Sequence, residues 1–263
     1  MFETSLTGKT ALVGGATQGI GRAAAMLLAA QGANVVLMAR NVDSLLATLQ
    51  ALPNSGKQTH NFLACDFNDT AMLQQLLQTW TGSGMSAHIL VNNTGGPPAG
   101  PIVSAKLEEF ESAFRQHLLA NHLLAQAVIP GMKEAGYGRI INVISTSVKL
   151  PLKGLGVSNT IRAAVANWSK TLSNELAPFG ITVNNVLPGA TRTGRLEQII
   201  QNKATKTGHE PSDVAAEMLA EIPAGRFAEP EEVAAAIAFL ASPAASYING
   251  INLPVDGGRT GNL

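Results

Sequence analysis

The sequence is poor in sulfur, in aromatics and in net charge, and each shortage closes off a class of function. Its single cysteine, Cys65, excludes an internal disulfide. The residue falls in the apolar run HNFLAC (60–65), which suits an inert buried thiol better than a nucleophile. Lysine plus arginine and aspartate plus glutamate number 18 each, so the formal net charge is zero. Without a basic run the chain lacks the electrostatic footprint of a nucleic-acid binder, and no stretch reads as a membrane-surface helix. Long apolar runs are missing too. The helical stretch AAAMLLAA (23–30) stops at Gln31-Gly32, well short of the roughly 20 residues a membrane span needs. MFETSLTGK carries an acid and no apolar run before the first strand candidate, so no secretory leader is expected and the cytoplasm is the expected setting. No metal site is expected.

Apolar residues make up 46% of the 263 positions, enough for a real core. They fall into short β-rich runs: KTALVG (9–14), NVVLMA (34–39), HNFLAC (60–65), HILVN (88–92), RIINVI (139–144), ITVNNVL (181–187) and INLPV (251–255). Most are continuously apolar rather than alternating, as parallel strands covered on both faces require. Helix-length segments lie between them, at 19–31, 42–51, 69–80, 108–135, 157–176 and 230–241. This alternation predicts a doubly wound, parallel α/β sheet of seven strands with right-handed crossovers, and no linker divides the single domain, 1–263. One segment, 192–227, breaks the rhythm with polar, helix-like pieces and no strand. Excursions of this kind at the carboxyl edge of a sheet serve as lids, or as surface insertions that only pack.

The first strand runs directly into GGATQGIGRAAAML. Gly15, Gly19 and Gly21 sit where a strand turns into a helix, with Thr17, Gln18 and Ile20 between them. Missing side chains there let backbone N–H groups and the helix N-terminus approach a pyrophosphate. At the end of the second strand, LMARN puts Ala39 where an acid would bind a ribose 2′-hydroxyl and follows it with Arg40. An arginine at that place accommodates a 2′-phosphate, which favours NADP, with NAD as the alternative.

The spacing G-x-x-x-G-I-G (15–21) resembles that of the short-chain dehydrogenase/reductase family, and the rest of the chain agrees in order. VNNTGG (91–96) is similar to the family's N-N-A-G motif, with Asn93 and Gly95 in place and Thr94 for its Ala. Asp66 resembles the acid beside the adenine, with Phe67 next to it, and GRIINVIS (138–145) resembles the strand ending in the catalytic Ser. NVLPGATRT (185–193) resembles the segment that contacts nicotinamide, through Pro188, Gly189, Thr191 and Thr193. The segments 223–242 and 247–258 are similar to the family's last helix and strand, which implies a homotetramer or a homodimer.

The family's chemistry uses a Ser, a Tyr, a Lys and a supporting Asn. The resemblance places Ser145 at the Ser, Ser158 at the Tyr and Arg162 at the Lys. Counted through an uninterrupted helix, His117 falls at the Asn. Ser158 and Arg162, four residues apart in GVSNTIRAAV, share a helix face. A serine hydroxyl is a far poorer acid than a phenol, and Arg162 can hold ribose hydroxyls but not relay a proton by giving up its charge. The tyrosines, Tyr137 and Tyr247, lie at neither position. His117 titrates near neutrality when unperturbed and is a substitute proton source, or else a packed residue satisfied by backbone. Lys149 and Lys153 are further substitutes, and His122 reads as structural or exposed.

The leading expectation is an NADP(H)-dependent oxidoreductase acting on a small carbonyl or secondary alcohol. In it Ser145 holds the oxygen, Ser158 or a water behind it supplies the proton, and Arg162 fixes the ribose. A cofactor-binding protein of this fold without turnover, serving as a sensor or oligomer partner, is the alternative. A third reading is non-redox chemistry with His117 as base.

Overall fold

The computed structural model describes residues 3–261, and the expectations for positions 1, 2, 262 and 263 lie outside the described residues. Seven strands form at the seven apolar runs: β1 Thr10–Gly14, β2 Asn34–Ala39, β3 Asn61–Ala64, β4 Ile89–Asn92, β5 Gly138–Val143, β6 Ile181–Pro188 and β7 Asn252–Val255. All pair in parallel, in the order β3-β2-β1-β4-β5-β6-β7. The helices are α1 Gly19–Ala30, α2 Val42–Ala51, α3 Thr70–Gly82, α4 Leu107–Ala113, α5 Ala120–Glu134, α6 Gly156–Leu176, α7 Gly194–Thr207, α8 Pro211–Ala220 and α9 Pro230–Ala241. Strand order reverses at β1, between β2 and β4, and the crevice at the carboxyl ends of these strands is where such sheets bind ligands.

Alternate residues along each strand serve opposite faces of the sheet. Leu12, Val36, Leu90 and Ile140 pack with Leu73 and Leu77 of α3 and Leu124 and Val128 of α5. Val13, Val35, Leu37 and Val91 pack with Leu28 of α1 and Ile237 of α9. Leu12, Leu37 and Ile140 are wholly buried, so truncating any of them to Ala costs about 2–5 kcal/mol. Cys65 is buried, and burial with Asp66 beside it pushes its thiol up to about 12, as expected of an inert cysteine.

A row of amides crosses the same sheet. Asn92 Nδ2 donates to Asn142 Oδ1 at 2.8 Å, Asn142 Nδ2 to Asn185 Oδ1 at 3.0 Å, and Asn185 Nδ2 to Asn252 Oδ1 at 2.8 Å. These residues are register partners on β4 to β7, so the amides stack side by side directly beneath the carboxyl edge.

One helical expectation is corrected. The segment 108–135 is not uninterrupted: α4 passes into a π-helical turn, Phe114–Leu119, before α5 begins. Such a turn inserts one residue into the helical repeat and re-aims the side chains on it. Helix α6 starts after Leu155, so Ser158 stands inside its first turn.

The excursion forms α7 and α8, with a small core of its own around Leu196, Ile222 and Phe227. Its neck is pinned where Arg192 N donates to Ala228 O at 2.8 Å and Ala228 N to Ala190 O at 3.0 Å. Among the described residues no helix is long and apolar enough to cross a membrane.

Candidate active site

The glycine loop is built by close backbone approach. Gly15 and Gly19 have φ of +58° and +51°, in the left-handed region where a side chain is strained. A Cβ on Gly21 would lie 2.2 Å from Gly15 O, and one on Gly15 would lie 2.5 Å from Asn93 O. Asn93 Nδ2 donates to Gly14 O at 3.2 Å, so the loop and the end of β4 form one unit. Gln18, exposed and extended, stands at the N-cap of α1 without a side-chain cap, leaving the first-turn N–H groups open to an anion. Thr17 is half-buried, and Ile20 packs onto the core behind the loop. Across from it, Thr193 caps α7 by accepting from Leu196 N, and its methyl would meet a Cβ on Gly19 at 2.9 Å.

The expected cofactor residues line the rest of this edge. Arg40 follows β2 with its side chain 75% exposed, 3.9 Å from Asp66 Oδ2, a long pair that leaves its guanidinium available. Phe67 is buried, with its ring edge 3.4 Å from where a Gly14 Cβ would be. Gly95 is exposed on the loop after β4. Pro188 ends β6, Gly189 N donates to Val255 O at 2.9 Å, and the buried Thr191 donates to Gly189 O at 3.2 Å.

Beyond the loop lies a second cluster. Ser145 follows β5, half-buried, and its Oγ accepts from Ser147 N at 3.1 Å, which leaves its hydroxyl proton to donate. One turn apart on α6, Ser158 and Arg162 are both buried. Arg162 Nη1 donates to Val143 O at 2.8 Å, while its Nε, also buried, has no partner. Burial and the neighbouring Arg195 bring its pKa down to about 10, so the guanidinium stays charged at neutral pH.

His117 projects from the π-helical turn and is 1% exposed. Backbone does not satisfy it: its Nδ1 lies 2.5 Å from Thr94 Oγ1, and its Nε2 has no partner. Burial first, then the charges of Arg162 and Arg195, push its pKa down to about 2. His117 is thereby held as the neutral imidazole across the physiological range.

Tyr137 donates to Ala241 O at 2.6 Å, beside the start of β5 and away from its carboxyl end, and Tyr247 is fully exposed. Lys153 and His122 are exposed, and His122 lies edge-on to Trp168.

Two residues at this cluster escape a reading by sequence position. Thr94 reads only as a departure from an Ala, yet it is the partner of His117. Arg195, in the uneven composition of the excursion, returns to the sheet edge. Its guanidinium donates to Pro97 O and lies 3.3 Å from where a Cβ on Gly96 would sit.

A family model described as "Enoyl-(Acyl carrier protein) reductase" matches residues 15–260. The chain is 35% identical over 254 residues to the 3-oxoacyl-[acyl-carrier-protein] reductase FabG of Vibrio cholerae, covering 97% of this chain and 98% of that one. It is 32% identical over 251 residues to the NADPH-dependent reductase BacG of Bacillus subtilis, covering 95% of this chain and 97% of the relative. The crystal structure of L-sorbose reductase from Gluconobacter frateurii, complexed with NADPH and L-sorbose, superposes with a TM-score of 0.91 at 31% identity, over 99% of this chain and all of that one. With the sheet order, the glycine loop and the match over nearly its whole length, the chain belongs to the short-chain dehydrogenase/reductase family of oxidoreductases.

Proposed function

We propose that the chain transfers hydride between NADP(H) and a small carbonyl or secondary alcohol, using a serine, serine and arginine site. What supports this reading is a glycine cradle sealed by Asn93 together with the buried Arg162 and His117, each of which leaves a nitrogen without a protein partner.

The residues fit a dinucleotide. The N–H groups at Gly19 to Gly21 suit the pyrophosphate, with Thr17, Gln18 and Ile20 shaping the loop. The loosely held Arg40 suits a 2′-phosphate, with Asp66 and Phe67 beside the adenine. Asn93, Gly95, Pro188, Gly189, Thr191 and Thr193 line the nicotinamide half, and the unpartnered Nε of Arg162 suits a ribose hydroxyl. Bound there, NADPH supplies hydride to the carbonyl carbon and NADP+ accepts it in the reverse direction.

The chain's own residues hold the oxygen and its charge. Ser145 donates to the carbonyl oxygen. Arg162, buried and charged, stabilises the alkoxide as it develops, and in a low-dielectric site this replaces part of what a strong acid would contribute. In the tautomer with Thr94 donating to Nδ1, His117 would carry its ring proton on Nε2 and add a neutral donor. The final proton comes through Ser158 from water. Loss of a dedicated acid lowers the rate by about 10²–10⁴, which slows the reaction without abolishing it. The excursion 192–227, pinned at its neck, acts as the substrate lid. The assembly is a homotetramer or homodimer of a cytoplasmic protein, and light scattering of the purified chain checks the assembly.

Fluorescence titration with NADPH and NADH, followed by NADPH oxidation against a panel of ketones and aldehydes, tests the reading. Binding with slow oxidation is expected. Binding with no oxidation by any carbonyl, and activity gained on replacing Ser158→Tyr together with Arg162→Lys, would establish the binding protein without turnover instead.

A further inference from the structure

Arginines around the lid divide into two sets. Arg192, Arg226 and Arg259 each pair with a glutamate: Glu229, Glu232 and Glu221 respectively. Arg195 and Arg162 face the site and, among the described residues, form no ion pair. Their hydrogen bonds go only to main-chain carbonyls, Pro97 O and Val143 O. Arg162 is 8% exposed, and His117 Nε2, also buried, has no partner. Two cations and a neutral imidazole thus lie near enough to act on one another's charge, and among the described residues neither cation has a carboxylate partner. A buried charge without a counter-charge is costly, and an anion brought by a ligand would offset that cost.

We infer that the substrate of this enzyme carries an oxyanion, a carboxylate or phosphate near its carbonyl, and that Arg195 binds it beside Arg162; the inference deepens the reductase reading and rests on it. The planar fork of Arg195 suits a two-oxygen group. The proposed function already gives the cofactor's phosphates other places, the N-terminus of α1 for the pyrophosphate and Arg40 for a 2′-phosphate. Asn93 stands between the glycine loop and this pocket, while the next residue, Thr94, turns to His117. The mutual effect of the two cations is visible in the lowered pKa of Arg162, for which Arg195 is a cause after burial. Because Arg195 is the second residue of α7, the anion it holds would also tie the lid to the loop after β4.

The test compares a 2-oxo acid, its methyl ester and a ketone phosphate of similar length, in wild type, Arg195→Met and Arg195→Lys. In wild type, kcat/KM for either anion should exceed that for the ester by about ten- to a hundredfold, the range of a charge-assisted hydrogen bond. The preference should fall to a few-fold in Arg195→Met and return in part in Arg195→Lys. A wild-type ratio near one, or a ratio unchanged in Arg195→Met, would overturn the inference. So would a loss confined to NADP+ affinity, which would assign Arg195 to a cofactor phosphate. If no carbonyl oxidises NADPH, the reductase reading fails on its own, and thermal shifts of the NADP+ complex with the same three ligands still decide. Anions raising Tm above the ester in wild type but not in Arg195→Met support the pocket, and equal shifts sink it.

Discussion

Thr94 Oγ1 and His117 Nδ1 lie 2.5 Å apart, joining the loop after β4 to the π-helical turn 23 residues later. The bond fixes which imidazole nitrogen faces the site, and burial with two neighbouring cations keeps that imidazole neutral. Because the native pKa is depressed below the ordinary 6.5, the unfolded chain binds a proton below that pH that the native chain does not. Stability is therefore unaffected above about pH 6.5 and falls as pH drops below it, by about 1.4 kcal/mol per unit for this one group. His117→Asn should flatten the urea-derived stability curve between about pH 6 and 4.5 by one proton's worth of slope. His88, also held low by burial and Lys9, keeps its own contribution in the variant. A His117→Asn curve parallel to wild type over that window would show that the ring is not neutral in the fold.

The same pair has a second consequence. Thr94→Val keeps the shape of the side chain and removes the hydroxyl, leaving Nδ1 buried without a partner, at a cost of about 1–3 kcal/mol. Thr94→Ser should retain most of the stability. If the pair only supports the fold, kcat in Thr94→Val will match wild type once the protein is fully folded; loss of kcat with KM little changed is the expected result.

Arg40 should decide the choice of cofactor. Its side chain is 75% exposed and meets Asp66 only at 3.9 Å, so it contributes little to stability. Arg40→Ala should leave the melting temperature within a degree or so while weakening NADPH binding about ten- to a hundredfold. NADH affinity should change little. Equal losses for both nucleotides would mean that Arg40 serves something other than the 2′-phosphate.

How far the sequence could be read depends on how local each signal is. Strands such as Asn34–Ala39 and Ile181–Pro188 stand where the apolar runs placed them, because a strand buried on both faces needs such a run. Helix α9 is likewise bounded at 230 and 241, with Pro230 opening it and a Glu229–Glu232 capping box at its start. The glycine loop is legible because its constraint, backbone against backbone, admits one residue type. What was not legible is pairing across distance. Nothing near Thr94 announces His117, the π-helical turn has no composition signal, and Arg195 looks like its solvent-facing neighbours until α7 folds back.

The asparagine row is another long-range feature and carries its own prediction. Asn142 is wholly buried, donates to Asn185 and Ser169, and accepts from Asn92. Asn142→Ala would leave several of these groups unpaired in the core, so destabilisation of at least about 2 kcal/mol is expected. The urea midpoint should fall with the slope unchanged. Single mutants at Asn185 and Asn142 should combine non-additively, since they share a bond, and strict additivity would argue that the row is only a set of separate contacts.

Two glycine substitutions give opposite signs from one physical rule. A Cβ on Gly21 would meet the Gly15 carbonyl carbon at 2.8 Å and its oxygen at 2.2 Å, and because both are backbone the loop itself must move. Gly21→Ala should therefore lose NADPH binding and several degrees of Tm together. Gly82 ends α3, has no positive φ, and would place its Cβ in open space. Alanine there removes conformational freedom from the unfolded chain without a clash, which should stabilise the protein by about 0.4–1 kcal/mol. Cofactor affinity should be untouched, since α3 lies behind the sheet from the glycine loop, packed through Leu73 and Leu77 on the face opposite α1. A Gly82→Ala protein no more stable than wild type would mean that the last turn of α3 frays in solution, leaving the added methyl nothing ordered to act on.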